Sequence, residues 1–308
     1  MSDKRPQIIT RKQAKRQINT LGYSLAIYIV LSILLWYGTP FLKVYFPSVF
    51  MNADPELVML VFTAVMMLFL LYVPFRITSR NLDLNIRDYL KKPALSADRL
   101  LMLCAMGAAI SLAVTGISSY LHILLHIHSL SYSFYGNFST PYNIGLNVLC
   151  FAVIVLIKPW CDEQIFRGII QRQLGHYGRY FGVLASSFLY AIAQPNLSEA
   201  LPAFFLGWYL AILTLRYHSV RSAVSVHIFT AALSWLITVL PDNLVLVPTV
   251  IVILIYVAAA FALVQRIISL NIIIHFEWDS RLWKILLTSS SVILCILLFI
   301  VSIVLSFL

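Results

Sequence analysis

Charge is what this chain lacks: only 11% of its 308 residues are Asp, Glu, Lys or Arg, against about 25% in a soluble protein. That scarcity excludes an ordinary water-soluble domain. Cysteine is scarce too. The four thiols, Cys104, Cys150, Cys161 and Cys295, have no CxxC spacing among them, so neither a disulfide scaffold nor a cysteine metal knuckle is expected, and they read as small apolar packing groups. There is no internal repeat, low-complexity tract or long linker, and no HExxH helix for zinc. The first apolar segment has a basic flank but no small-residue cleavage site after it, so it reads as a retained anchor.

What fills the space is apolar. With 61% hydrophobic residues, the chain offers segments of about 20 residues, long enough to cross a bilayer as helices. Nine are legible: about 21–42, 56–77, 100–125, 142–161, 180–195, 200–217, 222–240, 244–265 and 285–307. They are too long and too uniformly apolar for barrel strands, and only helices or closed barrels satisfy a backbone in lipid. The expected fold class is therefore all-α, a polytopic membrane helical bundle of about 8–9 transmembrane helices. Residues 1–20 read as a basic cytoplasmic tail and 21–308 as one transmembrane domain.

Charge, though sparse, is ordered. Of the 22 basic residues all but Lys43 lie on alternate loops, from the Lys4–Arg16 tail through the 78–99 loop to Arg266, Arg281 and Lys284. The positive-inside rule then places the N-terminus and these loops in the cytoplasm and Leu308 outside. The cell (plasma) membrane is the expected location. The formal net charge of +10 is mainly this topology signal, with attraction to anionic lipid as a by-product. Because the basic residues are dispersed along the chain, no nucleic acid partner is expected. The expected partners are the lipid bilayer and a membrane-anchored peptide or membrane protein.

One stretch breaks the apolar pattern. CDEQIFRGIIQRQ, residues 161–173, follows FAVIVLI directly. Pro159 can kink a membrane helix without ending it, so the fourth helix is expected to run on to about Leu174, with Gly175 and Gly178 marking the turn. Glu163 and Arg167 stand four apart and can pair on one helix face. Asp162 points about 100° away from its neighbour and finds no partner on its own helix in this reading. An unpaired carboxylate at membrane depth costs roughly 2.5–3.5 kcal/mol on insertion scales and marks a functional site by default. Taken alone, the cluster fits the solvated end of a helix equally well. Two further polar stripes favour a site: Ser187, Tyr190 and Gln194 in segment 5, and His227, Thr230 and Ser234 in segment 7. Each alone is ordinary interhelical hydrogen bonding; together they are a stronger signal.

These stretches resemble the CAAX proteases and bacteriocin-processing enzymes, the CPBP or Abi family of intramembrane endopeptidases, over a core of about residues 142–240. The family's EExxxR, usually continued as FRG, is here DEQIFRG, Asp162 to Gly168. Its FxxxH is matched by SSFLYAIAQ, with Tyr190 at the aromatic position and Gln194 in place of histidine. Its HxxxN is matched by HIFTA, with His227 present and Ala231 in place of asparagine. The resemblance implies peptide hydrolysis in the membrane: the first carboxylate and second-motif histidine activate water, the third motif stabilises the oxyanion, and the second carboxylate and arginine support the site. It thus implies Asp162, Glu163, Arg167, Gln194 and His227 as site residues. Three of these motif positions depart from the family. Asp162 is one methylene short, Gln194 cannot exchange a proton near neutral pH, and Ala231 offers no oxyanion donor. A binding or regulatory protein that keeps the cavity without catalysis is therefore the expected function. The alternative is an active endopeptidase with a rebuilt site, in which Thr230 supplies the missing donor. A transporter or channel is the third reading, disfavoured because no inverted repeat is visible.

Elsewhere, His122 and His126 are four apart, but the flank of HILLHIH offers no third ligand, so no metal or cofactor is expected. The aromatic series Tyr132, Phe134, Tyr135, Phe138 and Tyr142 reads as an interfacial belt. Asn137 and Asn196 have sequon form.

Overall fold

The computed structural model describes residues 10–38, 45, 55–85, 90–91, 95–124, 141–240, 246–269 and 279–307. His126, His128, Tyr132, Phe134, Tyr135, Phe138, Asn137 and Lys43 lie outside the described residues. So do the side chains of His122 and Tyr142.

The described part of each apolar segment is formed mainly by helices, and no strand occurs among the described residues. In chain order they are α1 (Arg11–Ile33, extended by a wide π turn Leu34–Gly38), α2 (Pro55–Tyr72) and α3 (Pro74–Asn81), with α4 (Ala97–Leu124) next. The long α5 (141–175) follows, then α6 (Arg179–Ile192), α7 (Leu197–Tyr217), α8 (Val220–Val239), α9 (Leu246–Ser269), α10 (Ser280–Leu287) and α11 (Ser290–Leu305). Thr10 caps α1 by accepting from the Gln13 N–H.

The count of nine spans needs correction. Seven helices among the described residues are long and apolar enough to cross a membrane, or eight with α10 and α11 taken as one span bent by 68°. The 180–195 segment falls short. Its helix, α6, has 14 residues, about 21 Å at 1.5 Å per residue, against a hydrocarbon core of about 30 Å. Gly178 and Pro195 bound it too closely for more.

Helix α5 forms the spine. It runs unbroken over Asn143–Gly175, 33 residues, and it passes through Pro159. Its wide turns are at Phe151–Ile157 and Gln164–Gln171. The first sits just before Pro159, where the ring removes a backbone donor and crowds the preceding turn. The second starts right after Glu163. Such π turns recur at functional sites.

Small residues set the close crossings. Gly22 of α1 lets α11 approach until Ser291 stands where a Cβ would be, and the Cys295 thiol donates to the Gly22 carbonyl at 3.3 Å. A Cβ on Gly182 of α6 would lie 2.7 Å from Gly175 Cα, so the α5–α6 turn is possible only with glycine there. Helices α6 and α7 form an antiparallel hairpin against α5, α8 packs on α5, α7 and α4, and α9 packs on α4. All four cysteines are buried and free.

The basic ends are brought to one face of the bundle. Gln173 donates to Gln17 at 3.0 Å, Arg172 donates to the Asn85 carbonyl, and Ser219 donates to the Lys91 carbonyl at 2.6 Å.

Candidate functional site

The motif carboxylates lie inside the bundle. Asp162, Glu163 and Arg167 are each fully buried, so the cluster is not a solvated helix end. A buried charge persists only when paired and hydrogen-bonded, and each of the three has partners.

Asp162 differs from the sequence expectation. It does have a partner on its own helix: Lys158, four residues earlier, places Nζ 3.0 Å from Oδ2. Tyr28 of α1 donates to Oδ1 at 2.9 Å. Both carboxylate oxygens are thus engaged. Lys158 was legible only as a topology charge, and Tyr28 comes from 134 residues away.

Glu163 takes the role that spacing alone does not give to Asp162. Its Oε1 lies 2.9 Å from Nδ1 of His227. Its Oε2 lies 3.2 Å from Arg167 Nε, an ion-pair separation poorly aligned for a hydrogen bond. With the carboxylate ionised, Nδ1–H of His227 donates, which fixes the tautomer and leaves Nε2 as the ring's second chemical handle. Arg167 donates from Nη2 to the Gly207 carbonyl at 2.8 Å, and its guanidinium lies 4.8 Å over the Tyr190 ring. Gly207 makes this possible: a Cβ there would stand 2.8 Å from Nη2 and 3.0 Å from the Tyr190 ring.

Gln194 sits apart from this pair. Its Nε2 donates to the Tyr190 carbonyl at 3.1 Å. It lines a small cavity of about 40 Å³ with Tyr28, Lys158, Pro195 and Glu199. Lys158 is one turn from Asp162 along α5, about 6 Å. Gln194 therefore meets the Asp162 side of the helix through Lys158, while His227 meets the Glu163 side. The two polar sets thus stand on adjacent residues of α5, with the Tyr190 ring under the Arg167 guanidinium and the Tyr190 carbonyl accepting from Gln194.

The other stripe residues serve locally. Ser187 donates to the Val183 carbonyl at 2.8 Å, Thr230 donates to the His227 carbonyl at 2.8 Å, and Ser234 is exposed. Asn196 caps α7 by accepting from the Glu199 N–H at 2.8 Å. The asparagine with a glutamate three residues on was readable as a helix start. Among the described residues no three His, Cys, Asp or Glu side chains group closely enough for a metal ion.

Fold and site together define a polytopic membrane protein whose polar centre is built from three motifs on α5, α6–α7 and α8. Residues 143–233 match the family model described as type II CAAX prenyl endopeptidase Rce1-like. The matched segment, about a third of the chain, is the one that carries DEQIFRG, SSFLYAIAQ and HIFTA. No curated protein and no solved structure matches the chain.

Proposed function

We propose that this is a CAAX-protease-like membrane protein that holds or regulates a membrane-anchored peptide or membrane protein partner without cleaving it. One observation carries the reading: the Asp162 carboxylate, at the family's water-activating position, has both oxygens taken by Tyr28 and Lys158. A general base must reach the proton it abstracts, and this one is engaged on both sides. Gln194 adds no proton acceptor beside it.

A second reading rests on the Glu163–His227 pair at 2.9 Å. A carboxylate that orients an imidazole is the arrangement of many hydrolytic sites, so an active endopeptidase would run through Glu163 and His227 instead. The two readings separate in one assay. The purified chain in detergent is given a membrane peptide of the prenylated C-terminal type, and cleavage is followed by mass spectrometry. No cleavage by the wild type, with a partner co-purifying in stoichiometric amount and retained by His227→Ala, supports the binding protein. Cleavage abolished by His227→Ala or Glu163→Gln establishes the enzyme.

The orientation belongs to the same reading. The bundle face that gathers Gln17, Asn85, Lys91 and Arg172 is taken as cytoplasmic, in the cell membrane. The native thiols are all buried, so Asn85→Cys gives a clean reporter. It should be labelled by a membrane-impermeant maleimide only after the cells are opened. Labelling of intact cells would invert the topology.

A further inference from the structure

Beyond the Glu163–Arg167 pair the bundle opens as a cleft of about 310 Å³, lined by Arg167, Gln171, Arg172, His176, Arg179 and His218 among others, with no Asp or Glu in its wall. Three guanidiniums and two imidazoles surround one space. The floor is unsatisfied. Arg167 is fully buried, and its Nη1 has no hydrogen-bond partner; Gln171 Oε1 is likewise buried and without a donor. Buried polar groups are nearly always paired, so an orphaned guanidinium nitrogen at the base of a basic cleft points to a ligand with acceptor oxygens. Arg172 is already tied to the Asn85 carbonyl and Gln171 Nε2 to the Ala211 carbonyl at 2.8 Å. The groups left to meet a ligand are therefore Arg167, Arg179, His176 and His218.

Two details aim the cleft at an anion. Helix α6 begins at Arg179, which lines the cleft, so the positive end of its dipole adjoins that space. His218 closes α7 in the left-handed region at φ 48°, a conformation in which histidine is over-represented among non-glycine residues, and this turn sets its ring at the rim. The cleft also has a fixed depth. It lies where two helices long and apolar enough to cross a membrane stop, at Gly175 of α5 and Tyr217 of α7, the place on such helices that meets headgroups.

We propose that this cleft binds a phosphate group at the membrane surface, carried by an anionic lipid or free in solution. Arginine forks match phosphate oxygens in two-point contact. Gln171 Oε1 can accept from a P–OH or from a headgroup hydroxyl. The site is independent of whether the neighbouring Glu163–His227 centre cleaves peptides, because its test reads binding alone.

The experiment uses the purified full-length chain in a neutral detergent. Thermal unfolding is followed while short-chain phosphatidic acid, short-chain phosphatidylcholine or inorganic phosphate is titrated. Saturable stabilisation by phosphatidic acid, at least tenfold stronger than by phosphatidylcholine, is expected if the source is a lipid. Equal saturation by inorganic phosphate identifies the free ion as the source. In either case Arg179→Gln with His218→Gln should weaken binding at least tenfold. Lys12→Gln with Arg16→Gln, which removes the same number of basic groups from α1, none of them in the cleft wall, should not. No saturation by any of the three ligands, or equal weakening by both double variants, overturns the site in favour of diffuse charge. Should the cleft variant fail to purify folded, Arg179→Gln alone is held to the same tenfold criterion.

Discussion

Glu163→Ala should be among the most destabilising single changes in the protein. It leaves the Arg167 guanidinium, fully buried, with the Gly207 carbonyl and the Tyr190 and Phe166 rings but no counter-charge, and it frees His227 of its orienting partner. Removing one member of a buried ion pair typically costs about 3–5 kcal/mol, because the other charge is stranded. Unfolding in a denaturant titration of the detergent-solubilised chain would show it. Glu163→Gln should cost less, since an amide oxygen still accepts from Nδ1 of His227. Glu163→Leu with Arg167→Met should recover part of the loss, as apolar replacement of a whole buried pair often does. If Glu163→Ala unfolds with the wild type, the pair is not formed in the membrane protein.

The second large effect concerns catalysis. Asp162→Glu, Gln194→His and Ala231→Asn together rebuild the family's groups at the positions that match its motifs. General acid–base help is worth about 10²–10⁴-fold and one oxyanion donor about 10²–10³-fold, though such terms are not additive. The structure adds a condition. Lys158 lies 3.0 Å from the carboxylate it would have to release, so the triple variant alone should stay nearly silent. Adding Lys158→Met removes that competitor and leaves Tyr28 as the carboxylate's partner. Cleavage of a prenylated membrane peptide should then rise at least 10²-fold over the triple variant. Equal rates for the triple and quadruple variants would mean that Lys158 does not silence the site.

Much of this was legible in the sequence, for identifiable reasons. Apolar run length and composition report helices directly, because a spanning backbone must satisfy itself. The reach of α5 through Pro159 to Gly175 followed from the absence of another breaker. Glu163 and Arg167 followed from four-residue spacing. Lys158 and Asp162 have the same spacing, yet Lys158 also fits the pattern of cytoplasmic charges, and the pattern does not say which role it plays. Tyr28 could not be read, because α1 meets α5 only through tertiary packing. Gly207 could not be read either. Its purpose is the room it leaves for a guanidinium from another helix. The length of α6 was misjudged because an apolar run shows where a helix can exist, whereas the backbone around Gly178 and Pro195 decides where it starts and stops.

The two ion pairs of α5 have a consequence for how the protein is made. Lys158–Asp162 and Glu163–Arg167 are both local, four residues apart, so each can close as soon as this stretch turns helical, without help from another helix. The stretch Lys158–Arg167 then enters the translocation machinery with its four charges paired rather than as four separate charges, each costing roughly 2.5–3.5 kcal/mol at mid-membrane. Gly207 and His227 are made later, Tyr28 is already present on α1, and all three lock an arrangement that the two pairs define. A change that breaks either pair therefore acts first on biogenesis: it lowers the fraction of chains in which α5 is inserted at all, and the cell's quality control sees the defect before any partner or peptide does.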